Sequence, residues 1–131
     1  MYGFANHTDD KLIYLGSPYS NEDALQQKIN FILARDCAAW FLRKGVFVYS
    51  PIVHCHDLAI HYDLPHDYDF WKAYNRRMLR AADEFCMLRI QDWDKSKGLK
   101  GEIADAKDMG KELFQCYRLA SKDYEIFKLE I

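Results

Sequence analysis

The sequence contains no apolar run approaching the roughly 18–20 residues that a membrane-spanning helix requires, so no membrane partner is expected. Glycine and proline are scarce, 6 and 3 in 131 residues, and there is no repeat, low-complexity tract or flexible linker. A chain of this length without a linker is expected to form one domain, residues 1–131. The 4 cysteines form no CxxC pair, which speaks against a structural zinc site. Cys37, Cys55, Cys86 and Cys116 read instead as reduced thiols filling space, which points to a cytoplasmic setting. An excess of one charge is also lacking: 18 basic residues stand against 20 acidic ones, for a net −2. Proteins that hold nucleic-acid polymers usually carry a clear basic excess, so that partner is not expected, whereas a small nucleotide stays open. The opening segment MYGFANHTDDKL has acids and no apolar block, and is not expected to be a signal peptide.

Apolar and aromatic material is plentiful: 50% of the residues are hydrophobic and 15% aromatic. That is enough for a packed core and excludes a disordered chain. Lys11 to Gly16 (KLIYLG) reads as a buried strand. Ser20 and Asp23 fit a capping box for a long helix running to about Lys44. Leu25, Ile29, Ile32, Cys37 and Trp40 would form its buried face, and Gly45 its left-handed stop. Val46 to Ser50 is a second strand, ended by Pro51. Ile52 to Asp67 gives mixed signals of short helix or structured loop. A helix is expected from Asp69 to Ala82, a strand from Phe85 to Ile90, a helix from about Leu99 to Met109, and a strand from Leu113 to Tyr117. The tail with Tyr124, Ile126, Leu129 and Ile131 offers a fifth strand. Strands alternating with helices imply an α/β fold with a mostly parallel sheet of four to five strands. Ligands of such sheets bind outside the carboxyl ends of the strands, where strand order reverses.

Those ends carry polar residues. Gly16 would let a ligand approach the backbone, and Ser17 beside a helix N-terminus suits an anion, although an ordinary strand-to-helix turn has the same look. Neither the dinucleotide fingerprint nor a Walker loop is present. Ser96 and Gly98 lie in a loop entering a helix and offer a hydroxyl and backbone donors to phosphate. Glu102 falls in the first turn of that helix, and Ala106 and Met109 share its row, so its carboxyl should face the sheet. It is either a nucleophile or base in a crevice, or a helix N-terminal acid favoured by the dipole. His54 and His56, with Asp57, fit a substrate-pocket or structural hydrogen-bonding role better than a metal site; His61 and His66 read as plain loop residues. Tyr68, Phe70, Trp71 and Tyr74 fit a core face better than a base-stacking wall, whereas Trp93, in a loop, is the better pocket wall. Lys95, Lys97 and Lys100 would steer an anion or simply form a solvated face.

Tyr14-Leu15-Gly16-Ser17, with Ser96-x-Gly98-x-x-x-Glu102 followed by Ala106 and Gly110-Lys111, resembles the nucleoside 2-deoxyribosyltransferase superfamily, which includes deoxyribonucleoside 5′-monophosphate N-glycosidases. A small branch of domains of unknown function is more similar still. The segments that carry this are Ser17-Pro18-Tyr19-Ser20, Ser50-Pro51-Ile52-x-His54-x-His56, Leu64-Pro65-x-Asp67-x-Asp69-Phe70-Trp71 and Trp93-x-x-Ser96-x-Gly98. The resemblance runs from about Ile13 to Lys111. It implies a flavodoxin-like three-layer sandwich, a reaction at an N-glycosidic bond, no cofactor and no metal, and a homo-oligomer of two or more copies. It also implies that Glu102 attacks the sugar, that Tyr14 lies near both, and that Ser17, helped by Ser20, and Ser96 with Gly98 hold phosphate. Asn75 stands where the superfamily usually has an aspartate that assists proton transfer; Asp69 or a histidine is a substitute. The function expected is therefore hydrolysis of the base–sugar bond of a nucleoside 5′-monophosphate. Base exchange on deoxyribose, and nucleotide binding or sensing without turnover, are the alternatives.

Overall fold

The computed structural model describes residues 10–130; the start of the chain and Ile131 lie outside them. In chain order the elements are β1 (Leu12–Gly16), α1 (Ala24–Arg43), β2 (Phe47–Tyr49), α2 (Pro51–His61), α3 (Tyr68–Ala81), β3 (Glu84–Leu88), α4 (Lys97–Asp108), β4 (Glu112–Arg118) and β5 (Tyr124–Lys128). The five strands form one sheet in the order β2-β1-β3-β4-β5. Pairs β1–β2, β1–β3 and β3–β4 are parallel, because helical crossovers join them. β5 returns antiparallel to β4 through a short turn closed by the Leu119 N–H donating to the Asp123 carbonyl at 2.7 Å. The result is a Rossmann-like α/β sandwich, as the alternation of elements leads one to expect. Among the described residues, no helix is long and apolar enough to cross a membrane.

Alternation along the strands sends successive side chains to opposite faces. Ile13, Leu15, Cys86 and Leu88 join Cys37, Ala38 and Phe41 of α1 in one core cluster. Tyr14, Phe85 and Met87 join Leu79 of α3 and Leu99 and Ala106 of α4 in the other. All four cysteines are free and buried, with the Cys37 and Cys116 sulfurs 3.8 Å apart in the first cluster.

Local chemistry explains the helix boundaries and corrects several expectations. The cap of α1 is Asp23, whose carboxylate accepts the Leu25 N–H at 3.0 Å. Ser20 is not in a capping box: its hydroxyl donates to the His66 carbonyl at 2.7 Å. The buried stripe of α1 is Asn30, Ala34, Cys37, Ala38 and Phe41. Leu25 and Ile29 face outward, 65% and 38% exposed, because the smaller residues let the helix approach the sheet more closely. Gly45 does take a left-handed conformation, at φ +77°. The stretch after β2 is a helix. Ser50 caps it by accepting the Val53 N–H at 3.2 Å, and Pro51 sits in its first turn, where a missing N–H costs nothing. On α3 only Leu79 is buried, so its aromatic residues do not form the expected core face: Phe70 and Tyr74 are 49% and 38% exposed.

Candidate active site

Strand order reverses between β1 and β3, and a cavity of about 350 Å³ opens at their carboxyl ends. Ser17, directly after β1, is 4% exposed and lines it; its Oγ has no hydrogen-bond partner among the described residues. Across the cavity α4 begins. Ser96 caps this helix by accepting the Leu99 N–H at 3.1 Å, and Gly98 lies within its first turn, not in a preceding loop. The helix starts earlier than expected, which puts Glu102 in its second turn. Glu102 nevertheless shares a buried stripe with Leu99 and Ala106, so its carboxyl points toward the sheet as the spacing implies.

Glu102 is buried and lines the cavity. Its Oε2 accepts a hydrogen bond from the hydroxyl of Tyr14, which β1 presents to the same face of the sheet. Burial pushes the Glu102 carboxyl up from its usual 4.5 to about 8; the Tyr14 hydrogen bond pulls the other way, and the nearby Asp105 adds a smaller upward push. Tyr14 itself is held well above its usual range, first by burial and then by the Glu102 charge. The proton between them therefore belongs to the phenol whenever Glu102 is ionised. A carboxyl poised near neutral pH in a partly apolar cavity can act as nucleophile, acid or base.

Asn75 enters from α3, and its Oδ1 is buried without a hydrogen-bond partner among the described residues. An amide oxygen in that state is costly unless a ligand donates to it. Ser20 and Asp69 also line the cavity. Asp69 pairs with Lys97 at 3.2 Å, tying the start of α3 to the start of α4 at the rim.

Other expected residues fall elsewhere. Gly16 is not a cavity wall; a Cβ there would come within 2.7 Å of the Phe85 ring, so its role is to admit that ring. Helical geometry turns residues two apart by about 200°, so His54 and His56 diverge. His54 is exposed and meets the Tyr74 hydroxyl at 3.0 Å. His56 is buried, stacks on Phe31 at 3.9 Å, and shares a 2.6 Å hydrogen bond with Tyr19. Neither histidine lines the cavity, but His56 holds a tyrosine that does. Trp93 is not the expected pocket wall either. It packs against the second core cluster, with the Arg89 guanidinium 5.0 Å from its ring centroid.

Several wall residues escaped the sequence reading: Tyr19 and His66 supply aromatic surface, and Ile52, Cys55 and Ala59 supply apolar surface from α2. Tyr68 and Trp71, for which a core face was expected over a stacking wall, line the cavity as well. His66 is not a plain loop residue: its Nδ1 meets the Gln27 side-chain amide at 2.7 Å, and its ring stacks on Tyr19. Burial, then the Glu102 charge, pushes the Cys55 thiol up to about 12, so it is uncharged at neutral pH. Gly101 leaves the space that the Tyr68 phenol fills, a close approach with no sequence signal of its own. Among the described residues, no group of three or more His, Cys, Asp or Glu side chains is placed to hold a metal ion.

A Rossmann-like sandwich with a buried carboxyl at its switch-point cavity defines the class. Within it, the chain belongs to the DUF1937 family, a domain of unknown function whose sequence model matches residues 11–118. No curated protein matches the chain.

Proposed function

We propose that this protein is an N-glycosidase that hydrolyses the base–sugar bond of a nucleoside 5′-monophosphate. The observation that carries the reading is the buried Glu102 carboxyl, hydrogen-bonded to Tyr14 and opening on a cavity with aromatic walls. Its likeness in motif to the nucleoside 2-deoxyribosyltransferase superfamily lends support. In this reading the aromatic walls receive the base, and Ser17, Ser20, Ser96 and Lys97 receive the phosphate. The unpartnered Ser17 Oγ and Asn75 Oδ1 gain hydrogen bonds when the ligand binds.

The chemistry follows from the environment of Glu102. An ionised Glu102 oxygen bonds to the anomeric carbon as the carbon–nitrogen bond breaks, and the bonding pair leaves with the base. The base takes a proton from water. The transition state is oxocarbenium-like, so the developing positive charge stabilises the carboxylate that burial disfavours. A second water then attacks the same carbon and gives its proton to the hydroxide left by the first, which breaks the bond to Glu102, returns it as the carboxylate and completes the sugar phosphate. Tyr14 holds the carboxylate in line through its hydrogen bond. Asn75 positions the sugar by hydrogen bonding but cannot donate the full proton that an aspartic acid would. That feature favours the second reading, a nucleotide-binding module without turnover.

The test is base release from ribo- and deoxyribonucleosides and their 5′-monophosphates, followed by chromatography, with Glu102→Ala in parallel. Release from a monophosphate, lost in the variant, is the expected result. Binding without release from any member establishes the second reading, and release only when a free acceptor base is added establishes base exchange instead.

A further inference from the structure

A second hollow, of about 460 Å³, adjoins the first, and the two share Ser20, Lys95 and Ser96 as walls. The loop after β1 runs between them. Ser17 and Tyr19 line the first, Pro18 lines the second, and Ser20 lines both. This partition is held from each side: the Tyr19 hydroxyl is fixed by His56 at 2.6 Å, and the Tyr19 carbonyl accepts from the buried Asn30 amide at 3.2 Å. The loop after β3 and the start of α4 make the opposite side, with Gln91 and Asp92 on the second hollow and Lys97 and Gly98 on the first. The junction thus lies in the switch-point crevice itself.

The two hollows differ in chemistry. The first has the aromatic and apolar walls described above. The second is lined by the amide residues Asn21, Gln26, Asn30 and Gln91, of which Asn30 is already bonded to the Tyr19 carbonyl and to the Gln26 amide at 3.0 Å, and by the acids Glu22 and Asp92. Amides that both donate and accept, beside carboxylates that only accept, match hydroxyl groups. They do not match a phosphate, which Glu22 and Asp92 would repel. The cation lies at the junction: Lys95 contacts Asp92 at 3.5 Å and is largely exposed, so an arriving anion can share it. The serine hydroxyls of Ser20 and Ser96 flank the same point.

We propose that the ligand is bipartite: a nucleotide whose phosphates carry a second, hydroxyl-rich group, as in a nucleoside diphosphate joined to a sugar. The base and first sugar occupy the Glu102 cavity, the phosphates cross between Ser20 and Lys95, and the second sugar fills the polar hollow. This rests on the nucleotide reading above and narrows its substrate class, with the monophosphate retained as a smaller ligand.

The experiment is titration calorimetry with matched series: AMP, ADP and ADP-ribose; UMP, UDP and UDP-glucose; GMP, GDP and GDP-mannose; dTMP, dTDP and dTDP-glucose. The series are repeated with a Glu22→Ala, Gln91→Ala double variant, in which both replaced residues are exposed and tolerate truncation. In the series with the preferred base, the sugar conjugate is expected to bind about tenfold or more tighter than the diphosphate, a difference of about two good hydrogen bonds. The double variant should erase that gain and leave monophosphate affinity unchanged. A conjugate no tighter than its diphosphate, or a gain that survives the double variant, overturns the bipartite ligand while the nucleotide reading stands. Absence of binding throughout all series, together with absence of base release, overturns both.

Discussion

Replacing Tyr14 by Phe removes one hydroxyl and keeps a ring that is fully buried and stacked on Phe85 at 5.9 Å. The hydroxyl donates to Glu102, whose carboxyl titrates near 8. At pH 7 about one Glu102 in ten is then ionised, a deficit of one pH unit. A hydrogen bond to a charged group contributes about 1.5–3 kcal/mol. At about 1.4 kcal/mol per pH unit, losing it moves the ionisation of Glu102 upward by about one to two pH units. The ionised fraction at pH 7, and with it the rate of base release, should fall about 10- to 100-fold. The loss should narrow to about fourfold or less at pH 9.5, where the wild-type carboxyl is almost fully ionised and that of the variant about one quarter to three quarters. The assay is kcat/KM for base release from pH 6 to 9.5, with circular dichroism to confirm that Tyr14→Phe folds. A loss equal at every pH would refute the argument, because it would mean that Tyr14 acts on something other than the ionisation of Glu102.

Stability offers a second view of the same carboxyl. Its folded pKa is raised, so the folded protein holds a proton that the unfolded chain releases above about 4.5, and stability falls as pH rises from there to about 8. Glu102→Gln should flatten that slope, so the melting temperature of the wild type relative to the variant should drop between pH 5 and 8; parallel melting curves would contradict the burial argument. Gly101→Ala should destabilise the protein by about 1–3 kcal/mol in urea unfolding, since the new methyl meets the Tyr68 phenol. In a Tyr68→Ala background the same change should become neutral or stabilising by up to about 1 kcal/mol, because Ala is the better helix former; a penalty that persists there would point to some other clash. Asn75→Asp should raise base release by up to about 100-fold if the missing proton donor limits the rate, and a rate that is unchanged or lower, measured with the preferred monophosphate, would show that it does not.

The sequence by itself determined the alternation of strands and helices, the parallel sheet and the strand ends at which a candidate site was to be sought. These follow from local rules. The runs of Lys11 to Gly16 and Phe85 to Ile90 are short and mostly apolar, which marks them as inner strands, and the helices between the strands force parallel pairing. The inward aim of Glu102 was legible for the same reason: its row on α4 holds Leu99 and Ala106. Ser17 and Ser96 were legible because a strand end or a helix start fixes where a residue lies along the chain.

Tertiary structure alone decided which faces are covered and which side chains meet. On α1 two stripes competed, and the one with Ala34, Cys37 and Ala38 won because small side chains let the helix approach the sheet; no periodicity count contains that distance. The aromatic residues of α3 have core spacing, yet Phe70 and Tyr74 remain exposed because none of the described elements covers them, while Tyr68 and Trp71 turn to the cavity. His54 and His56 separated once Ser50 and Pro51 started a helix in place of a continuing strand. Tyr19, Cys55 and His66 became cavity walls through contacts between segments far apart in sequence. The shift of Glu102 to about 8 is of the same kind: it comes first from the water that the surrounding elements exclude, against the opposing hydrogen bond of a tyrosine 88 residues away, and neither of these is a property of the glutamate's own neighbours in the chain.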